Sequence, residues 1–309
     1  MKILSKESLQ PAAAKLLEDA GHELITVNVA DNQIVNYIQD NQINGLIINT
    51  SKLETSILDQ LQNLTFIANT NLKECAIALS DKKQLIKLDL VNANAVSELV
   101  FAHLLNGARN LHDANRNMPL EGDANFNQLN TLYQKGIELE GKTLGLVGVN
   151  KAAEKVAKKA VAFGMQVIYY DPSLENVQLS IEILGNSISV NIPAKSKSEF
   201  LGEVDFISFH TGPVEKHWFG KDELAQLKPT VGIINVDGKG ALDEVALVEY
   251  LDNNKLLFAG LDTFESEPNP EIPILMNPKI SLSPNIAKYT IDSKMNMEIE
   301  MAKIIAESY

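Results

Sequence analysis

At 309 residues, with 45% apolar residues, 22% charged residues and a net charge of −13, the chain has the make-up of an ordinary globular protein of about two domains. The acidic balance excludes partners that need a basic face, namely nucleic acid and anionic membrane surfaces. No apolar run reaches the roughly 20 residues of a membrane span, the opening MKILSKESLQ lacks a signal-peptide core, and the single Cys75 with no Cys/His cluster argues against disulfides and metal, so the expectation is a reduced, cytoplasmic α/β protein.

The first 92 residues alternate strand and helix. Residues 2–4 start a strand, Pro11 opens the helix PAAAKLLEDAG, and Gly21 lies just past its end, the usual placement of these two residues. Strands are expected at 23–27, 46–48 and 65–68, with helices near 34–38 and 56–61. A long helix follows over 93–111, with Val96, Leu99, Val100, Leu104 and Ala108 on one side. Residues 115–134 read as a polar, irregular loop.

The stretch 141–171, GKTLGLVGVNKAAEKVAKKAVAFGMQVIYYD, reads as strand, tight turn, helix and strand, closed by an acid. Leu144, Leu146 and Val147 form a short buried run. Ala153, Val156, Ala157, Ala160 and Val161 recur at helical spacing, and Gly164 ends the helix. Asp171 stands about 20 residues after the turn, where a dinucleotide-binding unit holds a ribose hydroxyl; the competing reading is a solvated acid opening an Asp-Pro turn. The turn departs from G-x-G-x-x-G. Gly148 is kept, Ala153 replaces the third glycine, and Asn150 brings a side chain to the place where backbone meets pyrophosphate. Lys151 is either a neighbour of the pyrophosphate or a solvent-facing lysine.

Beyond it, Ser196 to Glu199 has capping-box spacing. Strands are expected at 204–209, 231–236, 256–261 and 280–282, and helices at 221–227 and 243–253. Ile291, Met295, Ile299, Ala302 and Ala306 give the last helix an apolar stripe. Repeated strand–helix alternation implies doubly wound parallel sheets, whose ligands bind at the carboxyl ends of the strands. That rule selects Gly148, Val149, Asn150, Lys151, Ala152, Asp171, His210, Val236 to Lys239, Asp262 and Asn285 as one rim. His217 and Trp218 are expected at the surface or a dimer edge, His103 as a satisfied histidine of the long helix.

Several segments in order, LEGKTLGLVG, FGMQVIYYDPS, VDFISFH, KPTVGIINV, LDEVALVEYL, GLDTFESEP and LSPNIAKYT, resemble the D-2-hydroxyacid dehydrogenase family, most closely its phosphoglycerate dehydrogenase branch. ANAVSELVFAHLLNGARN looks like the family's interdomain helix. The resemblance implies two Rossmann-like domains with a cleft between them, residues 1–92 plus 288–309 as the flavodoxin-like substrate domain and 93–287 as the NAD-binding domain. It also implies a small 2-hydroxy or 2-keto acid as substrate and a homodimer through the nucleotide-binding domain. The chain stops just after the last family helix, so no appended regulatory domain is expected.

Family chemistry uses an arginine fork on the substrate carboxylate, a histidine that takes the hydroxyl proton, and a carboxylate behind the histidine. Carried over by segment, the carboxylate is Glu267, the arginine falls on Gly238 and the histidine on Asn285. Gly238 has no side chain, and Asn285 accepts no proton at neutral pH; Lys239 offers charge without the planar fork. Asn49 takes the place of another family arginine, followed by Thr50, Ser51 and the retained Lys52, and the glycine-rich substrate loop falls on residues 68–73. The cofactor-binding set carried over is Gly148, Asn150, Lys151, Ala152, Asp171, His210, Val236, Asp262 and Asn285, for NAD held less tightly because of Asn150. The expectation is a dehydrogenase homologue that is weakly active or inactive; the alternative is a non-catalytic sensor of a nucleotide or metabolite.

Overall fold

A computed structural model describes residues 1–49, 64–71, 76–79, 84–88, 92–174, 176–183 and 186–309. The helix expected near 56–61, residues 50–52 and 72–73, Cys75 and the Lys82–Lys83 pair lie outside the described residues. The chain divides into two compact units, Met1–Asn92 with Lys288–Tyr309, and Ala93–Ala287.

The first unit is built on a sheet ordered β2-β1-β3-β4-β5-β6. Strands β1 (Lys2–Ser5), β2 (Glu23–Thr26), β3 (Gly45–Ile48) and β4 (Phe66–Asn69) are parallel. Strands β5 (Ala76–Leu79) and β6 (Gln84–Lys87), which the sequence pattern did not announce, add antiparallel to that edge. Helices α1 (Pro11–Asp19) and α2 (Ile34–Asp40) fill the connections. Ala13 and Leu17 of α1 pack with Ile3, Phe66, Met297, Met301 and Ile305, each large side chain contributing roughly 1.5–3 kcal/mol by leaving water.

The final helix corrects the expected stripe. Its buried face carries Ser293, Met297, Glu298, Met301, Ala302 and Ile305, while Ile291 is 85% exposed. A buried acid disguises that face in sequence. Glu298 lies there because its Oε2 accepts the backbone N–H of Gln10 over 2.6 Å, satisfying a donor at the start of α1.

The second unit carries a wholly parallel sheet ordered β14-β13-β12-β11-β7-β8. The strands are β7 (Thr143–Val147), β8 (Gln166–Tyr170), β11 (Phe206–Phe209), β12 (Gly232–Asn235), β13 (Phe258–Leu261) and β14 (Ile280–Leu282). Their near-continuous apolar runs suit burial on both faces. Val96, Val100 and Leu104 of α3 (Ala93–Ala108) pack with Val156 and Ala160 of α6 (Lys151–Ala162) and with Leu144 and Leu146 of β7. Another cluster joins Phe200 and Leu201 of α7 (Lys197–Glu203) to Leu224 of α8 (Lys221–Leu224) and Leu247 and Leu251 of α9 (Glu244–Asp252). Side chains cap these helices as the spacing suggests: Ser196 with Glu199 in a capping box, Asp243 on Ala246 N–H.

Two segments of this unit correct the sequence reading. The long helix ends at Ala108, Asn110 turning it at φ 52°. The supposed loop at 115–134 is covered by helices α4 (Leu111–Glu121) and α5 (Phe126–Tyr133). No residue of α4 is buried, and only Leu129 of α5; the large apolar side chains Leu111, Leu120, Phe126 and Leu132 stay exposed. The second segment is an antiparallel ribbon of β9 (Asn176–Ile183) and β10 (Asn186–Pro193).

Candidate functional site

The rim at the carboxyl ends of the second unit's strands holds two groups of side chains. One surrounds a cavity of about 370 Å³ lined by Gly148, Asn150, Asp171, Pro172, His210 and Trp218 among others. The turn from β7 into α6 makes its floor. Gly148 sits at φ +77°, and an added Cβ would come within 2.9 Å of the His210 carbonyl oxygen, so only glycine serves where the two chains pass. Asn150 then caps α6. Its Oδ1 accepts from Ala153 N–H over 2.9 Å, and its Nδ2 donates to Asp237 Oδ2 over 2.7 Å.

Asp171 is fixed by its own neighbourhood. One carboxylate oxygen accepts from Val149 N–H at 3.2 Å, the other from the backbone and hydroxyl of Ser173 at 2.9 and 2.6 Å. A carboxylate has about four acceptor positions, which leaves room for a further hydroxyl. His210 ends β11. Its Nε2 meets Ser208 Oγ at 2.9 Å, while its buried Nδ1 has no partner. Burial pulls its pKa down to about 3, so the ring is neutral. Trp218 belongs to this group and not to the outer surface. It is half-buried, edge-on to Tyr170, and lines the cavity. His217 pairs with Glu265 at 2.9 Å.

The other group lies after β12, β13 and β14. Glu267 Oε1 accepts from Thr263 Oγ1 and Phe264 N–H at 3.0 and 2.9 Å, and its Oε2 accepts from Asn285 Nδ2 at 2.7 Å, with Lys239 Nζ 4.0 Å away. Burial pushes the Glu267 pKa up, but the bonds from Phe264, Asn285 and Thr263 outweigh it and hold the group below the ordinary carboxylate range. Asn285 has φ 56°, a conformation asparagine tolerates. Asp262, wholly buried, pins that turn by accepting from Ser283 Oγ, Ile286 N–H and Ala287 N–H. Because Ser283 gives its proton to Asp262, it accepts from His103 Nε2–H at 2.8 Å, and His103 Nδ1 in turn accepts from Ser281 Oγ at 2.9 Å. Burial, the dominant cause, takes His103 down to about 4, keeping it neutral.

Gly238 is clamped by Asn235, whose Oδ1 takes the Gly238 N–H and whose Nδ2 reaches its carbonyl, both at 3.0 Å. A Cβ at Gly238 would meet Phe209 Cβ at 2.9 Å, Asn235 Oδ1 at 3.0 Å and Thr211 Oγ1 at 3.2 Å. Glu244 was not singled out from sequence. It is buried at the start of α9 and exchanges carboxylate–backbone hydrogen bonds with Glu265, 3.0 Å one way and 3.3 Å the other. Burial foremost raises its pKa to about 7.

The structure thus gathers Gly148, Asn150, Asp171 and His210 around one cavity, and Glu267, Lys239, Asn285 and Asp262 around one loop. Ala152 and Val236 bury their side chains in the apolar core. Lys151 turns to Glu154 at 2.9 Å. In the other unit, Asn49 donates to Glu7 at 3.2 Å and receives Asn71 at 3.4 Å.

Residues 101–287 match the family model for the NAD-binding domain of D-isomer specific 2-hydroxyacid dehydrogenases. The D-3-phosphoglycerate dehydrogenase of Methanocaldococcus jannaschii is 29% identical over 282 residues, covering 89% of this chain and 51% of the relative. That of Bacillus subtilis is 28% identical over 311 residues, covering 98% and 55%, so the chain spans about half the length of these relatives. The hydroxypyruvate reductase of Thermotoga maritima is 31% identical over 274 residues, covering 85% of this chain and 84% of the relative. Among solved structures, D-2-hydroxyisocaproate dehydrogenase aligns over 100% of this chain and 96% of its own with a TM-score of 0.76 at 18% identity. The NAD-complexed D-isomer specific 2-hydroxyacid dehydrogenase of Lactobacillus delbrueckii ssp. bulgaricus gives 0.73 at 17%, over 100% and 97%. The cofactor of the domain is NAD. The residues present fit it: the Gly148 turn at the cavity, a helix N-terminus, an acid with a free acceptor position for a ribose, and a cavity of suitable volume. No helix among the described residues is long and apolar enough to cross a membrane.

Proposed function

Since the chain belongs to the D-isomer specific 2-hydroxyacid dehydrogenase family, we propose that it is a NAD-binding member whose hydride-transfer chemistry is weak or lost. The observation that carries this reading is the pairing of Glu267 with Asn285 at 2.7 Å. An imidazole held by a carboxylate accepts the hydroxyl proton as hydride leaves. A carboxamide in that bond orients a hydroxyl but takes no proton, and loss of a general base costs about 10²–10⁴ in rate. The packing over Gly238 supports the same reading, because it leaves no space for a fork that grips a carboxylate. Lys239, already drawn to Glu267, supplies only a point charge.

Any residual turnover would act on a 2-hydroxy or 2-oxo acid, in keeping with the names of its relatives. The exposed apolar side chains Leu111, Leu120, Phe126 and Leu132 favour a homodimer through this unit, and the composition favours a cytoplasmic protein. A second reading, a sensor of nucleotide occupancy, is favoured by a cavity built wholly from the NAD-binding unit. Thermal melting tests both. A rise in Tm that grows with NAD or NADH concentration, without NADH consumption over a panel of 2-oxo acids, is the expected result. Absence of any shift at millimolar cofactor would defeat both readings.

A further inference from the structure

We propose that Asn150 and Asp237 form a latch over the start of helix α6 that makes the pocket select against the pyrophosphate of its ligand and leaves the nucleoside end unaffected. The proposal rests on the NAD reading of this unit and adds a selectivity to it.

The latch is a chain of two hydrogen bonds. Asn150 Oδ1 takes the Ala153 N–H at 2.9 Å, and Asp237 Oδ2 takes Asn150 Nδ2 at 2.7 Å. The two residues come from separate strand ends, β7 and β12, 87 positions apart, so the contact is tertiary and holds the side chain in one orientation. A pyrophosphate is acceptor-only and needs the N–H groups at a helix start. One of those donors is already committed to Asn150. Asp237 also takes one of the two amide N–H donors of Asn150 and so fixes the amide toward a carboxylate. To seat a pyrophosphate fully, Asn150 has to leave both bonds.

The nucleoside side of the cavity is open by comparison. Pro172, Trp218 and His210 line it, His210 has a buried ring nitrogen without a partner, and Asp171 keeps an acceptor position. A ligand that fills only this side never meets the latch.

Calorimetric titration of the whole protein with NAD and with adenosine, compared across wild type, Asn150→Gly and Asp237→Ala, tests the proposal. Glycine keeps most of the capping value at an N-cap, and circular dichroism confirms that each variant is folded. The expected result is NAD binding about tenfold tighter or more in both variants, with adenosine unchanged within about twofold. Equal tightening of both ligands would overturn the latch, since the effect would then not read phosphate. Weaker NAD binding in Asn150→Gly would also overturn it, by making Asn150 a phosphate donor. Those outcomes leave the NAD reading standing. Failure of every form to bind either ligand would remove the latch together with that reading.

Discussion

Asn285 donates its carboxamide to Glu267 over 2.7 Å, in a turn held at φ 56° by the buried Asp262. This turn accepts histidine without new strain, because asparagine and histidine share a tolerance for the left-handed region. Asn285→Gln would keep the polarity and restore nothing. Asn285→His places an imidazole against the same carboxylate. The expected outcome is a rise of about 10²–10⁴ in NADH-dependent reduction of the best 2-oxo acid, appearing in kcat. Rates equal to wild type would show that the proton acceptor is not what limits the chain.

Replacing Gly238 is expected to cost stability before it adds anything. The clash with Phe209 Cβ at 2.9 Å involves an atom next to the backbone, and Asn235 closes the other side. Gly238→Ala should lower unfolding free energy by about 1–3 kcal/mol, with Gly238→Arg at least as costly. Urea unfolding at constant m-value measures this; a neutral Gly238→Ala would mean that the loop yields freely.

Glu244 gives stability a slope near neutrality. Its pKa is raised to about 7 from the ordinary 4.5, so between those values the folded state holds a proton that the unfolded chain has released. Stability from this group is full below about pH 4.5 and falls as pH rises through 7. Glu244→Gln should flatten that limb and gain roughly 1–3 kcal/mol above it, after allowing for solvent screening. Tm against pH for the two proteins tests the assignment, and parallel curves would refute it.

The acid side has the opposite sign. His103 and His210 are buried neutral, with pKa values lowered from 6.5 to about 4 and about 3. The unfolded chain takes up protons first, so stability is complete above about 6.5 and declines as pH falls toward those values. His103→Leu should reduce the acid slope while costing about 1–3 kcal/mol, because Ser281 and Ser283 lose a buried partner. An unchanged slope would place the acid sensitivity elsewhere.

Much of the parallel sheet was legible because its strands are short apolar runs between helical repeats and its glycines mark the turns. The rim followed from topology alone, since Asp171, His210, Asp262 and Asn285 each stand just past a strand. Helices α4 and α5 were harder to read, because Pro119 stands inside α4 and both carry asparagines that favour turns, although Phe126, Leu129 and Leu132 do recur at helical spacing. The ribbon of β9 and β10 did leave a signal, the alternation NVQLSIEI and NSISVNIP. In the last helix, a buried Glu298 misdirected the stripe. The bonds Asn150–Asp237 and Glu244–Glu265 join residues far apart in sequence, and only the folded chain makes them neighbours. Trp218 reaches the cavity through the same kind of long-range packing.

The most direct measurement is the single-turnover rate of NADH oxidation by saturating 2-oxo acids, with cofactor occupancy followed through Trp218, the chain's one tryptophan. Saturable quenching by NADH is expected, with a rate at least about 100-fold below the roughly 10 s⁻¹ typical of enzymes. Wild-type turnover near that typical value, with Glu267 still bonded to Asn285, would contradict that expectation.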